Sequence, residues 1–342
     1  MASPRRIRMK TRRFLGVTAL TLLALVCLAL SAQASGDPLP SWHDGAAKQA
    51  IISFVDKVTQ QGGPGYVAPA ERIATFDNDG TLWSEQPMYV QFFFALDRLK
   101  QLAPQHPEWK KSTAVRAALA GDLAKLAKMG HKGLLEIVGL THAGLTSQQM
   151  QALAKAWLKT ARNPKKDMLF VRMIYQPMLE LLAYLRAHGF QTFIVSGGGV
   201  DFIRALSQHA YGIPPYQVIG SSLKSKFVVK EGKAEVVRLP KINSIDDGPG
   251  KPVNIALQIG RRPIMAVGNS DGDLAMLQYT ASGPGPRLMM LVHHDDGARE
   301  FAYDRQSAVG RLDKALDQAL RDGWTVISMK NDFAQVFPAQ VK

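Results

Sequence analysis

The stretch Ala74-Thr75-Phe76-Asp77-Asn78-Asp79-Gly80-Thr81-Leu82-Trp83 runs an apolar segment, begun at Ile73, straight into two aspartates one residue apart. Such a segment followed by Asn-Asp-Gly reads as a buried strand that ends in a loop. A strand that served only the core would not end by crowding two carboxylates together. Asp77 and Asp79 therefore ask for a partner that offsets their repulsion, and a bound cation is one.

Outward from this strand the pattern repeats. Upstream, Ala46 to Gln60 carries Ile51, Phe54, Val55 and Val58 on one helical face, and Gln61-Gly62-Gly63-Pro64-Gly65 breaks it. Residues 35–45 are polar and turn-rich and read as a tether. Downstream, residues 86–174 hold segments rich in Ala, Leu, Lys and Gln, such as Thr113 to Met129 and Ser147 to Thr160, with no strand-like run between them. Pro177 then opens a helix stopped by Gly189, Gln191 to Val195 is a buried strand, and a helix near Val253 to Ile259 leads to the strand Pro263 to Val267. A last strand covers Leu288 to Val292, and Phe227 to Leu239 reads as a hairpin about Glu231-Gly232. Alternation of this kind implies an α/β fold, a Rossmann-like, mainly parallel sheet with helices on both faces. The helical block falls after the first strand as an insertion.

Ligands of such sheets sit beyond the carboxyl ends of the strands. Those ends carry Asp77 to Thr81, Ser196-Gly197-Gly198-Gly199, Gly268-Asn269-Ser270-Asp271-Gly272-Asp273 and His293-His294-Asp295-Asp296. Carboxylates, hydroxyls and glycines together suit Mg²⁺, which takes oxygen ligands and keeps places for water and substrate phosphate. A carboxylate beside the metal can attack phosphorus, and a second acid nearby can serve as general acid and then base.

In this order the residues resemble the haloacid dehalogenase (HAD) superfamily. Asp77-Asn78-Asp79-Gly80-Thr81 is similar to its first motif, D-x-D-G-T. Ile194-Val195-Ser196-Gly197-Gly198 resembles the second, as written in the phosphoserine-phosphatase-like branch, Lys251 the third, and Gly268 to Asp273 the acidic fourth. The resemblance implies a HAD core over 35–85 and 175–342, with 86–174 as an α-helical cap. It implies Asp77 as nucleophile and metal ligand, and Asp79 as acid/base with its carbonyl on Mg²⁺. Ser196 and Gly197 would bind the substrate phosphate, and Lys251 would neutralise it. Where the family has Gly-Asp, this chain has Gly268-Asn269. Asn269 gives an uncharged oxygen to the metal, or Asp271 replaces it in a shifted loop; Asp273 matches the second acidic position. The implied activity is hydrolysis of a small phosphorylated metabolite. Phosphotransfer by the same mechanism and a non-catalytic phospholigand binder are the alternatives. Glu85 lies where an acid could meet substrate or stand solvated at the cap entrance, and His293 and His294 end a strand within reach of the site.

The chain has 342 residues and a formal charge of +14, and Cys27 is its one cysteine. Residues 1–34 hold six basic residues and no acid, so the remainder carries +14 less 6, or +8. A basic stretch, the apolar run Phe14 to Leu30 and Ala32-Gln33-Ala34 form a signal peptide with cleavage near Ala34. This implies a periplasmic or secreted protein that leaves no membrane segment after cleavage. The Sec route fits better than the twin-arginine route, since Phe14 sits one place early after Arg12-Arg13. A mature chain without thiols excludes cysteine nucleophiles, cysteine-bound metals and disulfides. No Lys/Arg block interleaved with aromatics supports nucleic-acid binding.

Overall fold

In the computed structural model, which describes residues 36–339, the apolar segment at Ile73 forms the middle of an eight-stranded sheet. The strands are β1 (Ile73–Phe76), β2 (Gln191–Gly199), β3 (Val218–Lys230), β4 (Lys233–Ser244), β5 (Met265–Gly268), β6 (Leu288–Asp295), β7 (Ala302–Tyr303) and β8 (Thr325–Ser328). Their order is β4-β3-β2-β1-β5-β6-β7, with β8 also paired to β6. β1 lies parallel to β2 and β5, and β6 parallel to β5 and β8; only the outer pairs β3–β4 and β6–β7 are antiparallel. The first 34 residues, with the signal-peptide reading, lie outside the described residues. Among those described, no helix is long and apolar enough to cross a membrane.

Pleating sends alternate strand residues to opposite faces, and each face has its own core. Ala74, Phe76, Ile194, Val267 and Met290 pack with the helices Ala46–Thr59 and Gln176–Ala187. Val195, Ala266 and Leu291 pack with Ile255, Met276, Leu277 and Leu316, from the helices Gly250–Gln258, Leu274–Ala281 and Lys314–Asp322. Between β1 and β2 the chain forms the helices Val90–Leu102, Thr113–Leu119, Leu123–His142 and Ser147–Leu158. Phe92, Leu96, Leu99, Val115 and Leu126 make a separate core there.

Three expectations change. Residues 39–45 do not behave as a tether, because Leu39 and Trp42 are buried. The Trp42 indole donates to the Pro177 carbonyl at 3.0 Å and meets the Phe333 ring edge-on at 5.1 Å. The second strand does not stop at Val195 but continues through the glycines, as β3 pairs with it up to Gly199↔Ser221. The hairpin is nearly twice the expected length. Backbone pairing extends it to Ser222↔Ser244 through Lys- and Ser-rich stretches that show no alternation.

Candidate active site

The carboxyl ends of β1, β2 and β5 meet at one cavity of about 1340 Å³, its open mouth included. Asp77, one residue past β1, is held against β5 by its N–H, which donates to the Val267 carbonyl at 2.9 Å. The first turn of helix Gly250–Gln258 brings in Lys251, which is fully buried. Its ammonium donates to Asp77 Oδ1 at 2.6 Å, Asp273 Oδ1 at 2.6 Å and the Val195 carbonyl at 2.8 Å. All three ammonium protons are thus placed. Burial works against the ammonium, but Asp273, Asp77 and Asp246 outweigh it and raise its pKa, so the charge is fixed. Burial, and after it the Asp273 charge, push the Asp77 carboxyl well above the usual carboxylate range, while Lys251 opposes them.

Asp79 follows on the tight turn that Gly80 allows. Gly80 has φ +74°, and a Cβ there would stand 2.1 Å from Asn269 Nδ2, so no other residue fits. The Trp83 indole donates to Asp79 Oδ1 at 2.8 Å and fixes the carboxylate. Burial still raises the Asp79 pKa against that bond.

The loop after β5 divides its acids. Asp273 Oδ2 accepts from the Asn269 N–H at 2.9 Å, the Ser270 N–H at 3.0 Å and the Ser270 hydroxyl at 3.2 Å. With Oδ1 on Lys251, both oxygens of Asp273 have protein donors, so it organises the loop and anchors the lysine. Asp271 faces away from the cavity. Its Oδ1 accepts from the backbone N–H groups of Asp313 and Ala315, at 3.0 and 2.9 Å, at the start of helix Lys314–Asp322. Asn269 is the loop residue beside the first motif, where its Oδ1 accepts from the Thr81 hydroxyl at 3.1 Å.

Glu85 is neither solvated nor at an entrance. It is buried, and its Oε1 accepts from Asn269 Nδ2 at 2.7 Å and from the Tyr303 hydroxyl at 2.8 Å. The carboxyl group that Asn269 lacks thus stands one hydrogen bond behind it. Burial, followed by the Asp79 charge, raises the Glu85 pKa well above its ordinary value. His293 lies outside the cavity lining, with its Nε2 3.6 Å from Asp304 Oδ2. The buried neighbour His294 instead bonds the Gly80 carbonyl through Nε2 at 2.8 Å and props the first motif from behind.

Ser196 and Gly197 line the same cavity as Asp77. The Gly198 N–H is taken by Ser196 Oγ at 3.1 Å and the Gly199 N–H by Gln91 Oε1 at 2.5 Å. Two N–H groups of the glycine run are therefore already held by protein acceptors. Sequence reasoning missed several residues of the lining, among them Tyr89, Gln91, His142, Asp201, Arg238 and Asp247. None stands in a motif; each arrives through packing of distant segments.

The family model described as haloacid dehalogenase-like hydrolase matches residues 74–278. Among solved structures, a conserved protein of unknown function from Anaerococcus prevotii matches with TM-score 0.54 at 18% identity, covering 82% of this chain and 91% of that one. A protein of unknown function from Bordetella pertussis gives TM-score 0.47 at 14% identity, over 76% and 99%. A phosphoserine phosphohydrolase-like protein from Francisella tularensis gives 0.38 at 12%, over 73% and 98%. The first of these, at 18% identity, is a likeness of fold. No curated protein matches the chain.

Proposed function

The chain belongs to the haloacid dehalogenase-like hydrolases, and from that premise we propose that it is a Mg²⁺-dependent phosphomonoesterase acting through an aspartyl-phosphate on Asp77. The observation that supports this most is the Lys251 ammonium, 2.6 Å from both Asp77 and Asp273, at the end of the strand that also delivers Asp79.

Mg²⁺ fits the donor set. Asp77, Asp79, Glu85 and Asp273 put four carboxylates at one cavity around a single lysine. Mg²⁺ needs only one or two carboxylates and completes its shell with water and phosphate. Asp77, the Asp79 carbonyl and Asn269 would hold it: Asp271 lies outside the cavity lining and both Asp273 oxygens have several protein donors, whereas the Asn269 oxygen, with the Thr81 hydroxyl on it, keeps a second lone pair. When bound, Mg²⁺ supplies positive charge that stabilises the phosphoryl oxygens and the paired aspartates.

The side chains supply the rest. Lys251 and Ser196 orient the phosphoryl group against Asp77. An Asp77 oxygen forms the new P–O bond as the ester P–O bond breaks, and Asp79 gives its proton to the departing alkoxide. Asp79 then takes a proton from water as the water oxygen attacks phosphorus, which releases phosphate and restores Asp77. The second carboxylate is what a carbon–halogen hydrolase would not need. The helical stretch 86–174 acts in this reading as the cap that excludes water. Export of the mature chain to the periplasm or exterior is part of the same proposal and rests on the N-terminal sequence. A binder without turnover would rest on the uncharged Asn269, and the Glu85 carboxyl group stands 2.7 Å behind that residue.

The test is phosphate release from 4-nitrophenyl phosphate with and without Mg²⁺. We expect Asp77→Asn to lower turnover by about 1000-fold or more, because an amide is too poor a nucleophile to form the acyl-phosphate. Circular dichroism checks that the variant is folded. A folded variant with turnover within tenfold of wild type overturns the assignment.

A further inference from the structure

Beyond the aspartates, the cavity lining includes Phe92, Val138, Met150, Phe202 and Leu223, together with His142 and Asp201. His142 ends the helix Leu123–His142, and Asp201 belongs to the helix Val200–Arg204 that follows the glycine run. The mechanism uses neither residue, and each carries one buried polar atom that no protein group satisfies, His142 Nε2 and Asp201 Oδ1.

The chemistry of both atoms follows from their neighbours. The Thr141 hydroxyl lies 2.8 Å from the Ile137 carbonyl and 2.8 Å from His142 Nδ1. It has a single proton; when that proton goes to the Ile137 carbonyl, His142 Nδ1–H donates to Thr141 and Nε2 is the acceptor. Burial, and after it Arg98, push the imidazole pKa down to about 3, so the ring is neutral and Nε2 carries a lone pair. At Asp201, Oδ2 takes both Arg238 bonds, Nε at 2.9 Å and Nη2 at 2.6 Å. Arg238 is further used by the hydroxyls of Ser225 and Ser147. Oδ1 is left without a donor. Two unpaired acceptors in one cavity wall are costly and need a partner. Arg238 is already occupied, and Asp201 repels a second anionic group.

Taking the phosphatase reading as given, we propose that this end of the cavity is the leaving-group subsite. It selects phosphomonoesters whose alcohol has an apolar body tipped with an amine or hydroxyl, which donates to His142 Nε2 and Asp201 Oδ1. The apolar wall holds the carbon body, and esters with a second carboxylate or phosphate are disfavoured.

The test compares kcat/KM for phenyl phosphate, 4-(aminomethyl)phenyl phosphate and 4-carboxyphenyl phosphate, using the purified protein in saturating Mg²⁺. Wild type should prefer the aminomethyl ester to phenyl phosphate by about tenfold or more, and should turn over the carboxy ester slowest. In Asp201→Asn and in His142→Phe the aminomethyl-to-phenyl ratio should fall toward one. Because the ratio is taken within one protein sample, a partly unfolded variant does not distort it. Equal rates for the three esters in wild type, or an unchanged ratio in both variants, overturn the subsite and leave the phosphatase reading standing. Wild type that hydrolyses none of the three contradicts that reading and the subsite with it.

Discussion

Asn269→Asp restores the residue the family usually has, yet the structure gives it a cost. The new carboxylate would face Glu85, whose Oε1 now accepts from Asn269 Nδ2 at 2.7 Å. A hydrogen bond to a charged group, worth about 1.5–3 kcal/mol, is lost. Two unit charges roughly 4 Å apart at an effective dielectric of about 20 add up to about 4 kcal/mol of repulsion. The cost falls on the metal-free fold, whereas Mg²⁺ binding relieves it, so stability and metal affinity should move in opposite directions. A loss of about 3 kcal/mol would lower the melting temperature in EDTA by roughly 5–10 °C, with Mg²⁺ recovering most of it. Calorimetric titration of Mg²⁺ into Asn269→Asp, Glu85→Gln and the double variant separates two accounts. If the summed charge of positions 85 and 269 sets affinity, Asn269→Asp binds tightest, the double variant matches wild type and Glu85→Gln binds weakest. The reasoning is refuted if Glu85→Gln binds like wild type and the double variant like Asn269→Asp, for then only the residue at 269 matters.

Trp83→Phe removes the N–H that fixes Asp79 and should reduce kcat by about tenfold, the order of one charge-assisted hydrogen bond, with KM nearly constant; an unchanged kcat in a steady-state assay would deny Trp83 that role. The His142 pKa is about 3 in the fold against an ordinary 6.5, so the contribution of its neutral form to stability is complete above pH 6.5 and is lost progressively as pH falls toward 3. By pH 5 the loss is about 2 kcal/mol, and denaturant unfolding at pH 7 and pH 5 should show a smaller acid-side loss in His142→Phe than in wild type. N-terminal sequencing of the native protein should begin near Ser35, and a retained Met1 or Ala2 would contradict export.

The part of this molecule that could be read in advance is the part written locally. The strand into Asp77, the Asp77–Asp79 spacing and a lysine opening a helix depend on neighbours a few positions away, and these gave the α/β class and the candidate residues. Glu85 illustrates the limit. Its partners Asn269 and Tyr303 lie 184 and 218 positions away, so nothing near it in sequence distinguishes a buried acid from a solvated one. Asp271 and Asp273 are two residues apart and equally acidic; what separates them is the packing of helix Lys314–Asp322, which claims the first. Trp42 sits among turn formers, and its burial depends on Phe333. The glycines after Ser196 looked like a loop, because their extension as a strand depends on pairing with β3.

The loop after β5 is moored on two sides, by Asp273 to Lys251 and by Asp271 to a helix that starts more than forty residues later. Tyr303, which bonds Glu85, and His294, which bonds Gly80, also lie beyond residue 278, where the family match ends. The recognisable catalytic segment is thus shorter than the piece of chain that keeps it in shape. A graft or expression fragment cut at the family boundary would carry every motif residue and lack the braces that hold the first and fourth motif loops, so it should bind and fold poorly with its chemistry nominally intact. For this protein the sensible unit of transplantation runs past the helix Lys314–Asp322, through β8 to Phe333, which closes on Trp42, and sequence drift in that tail acts on the site at a distance.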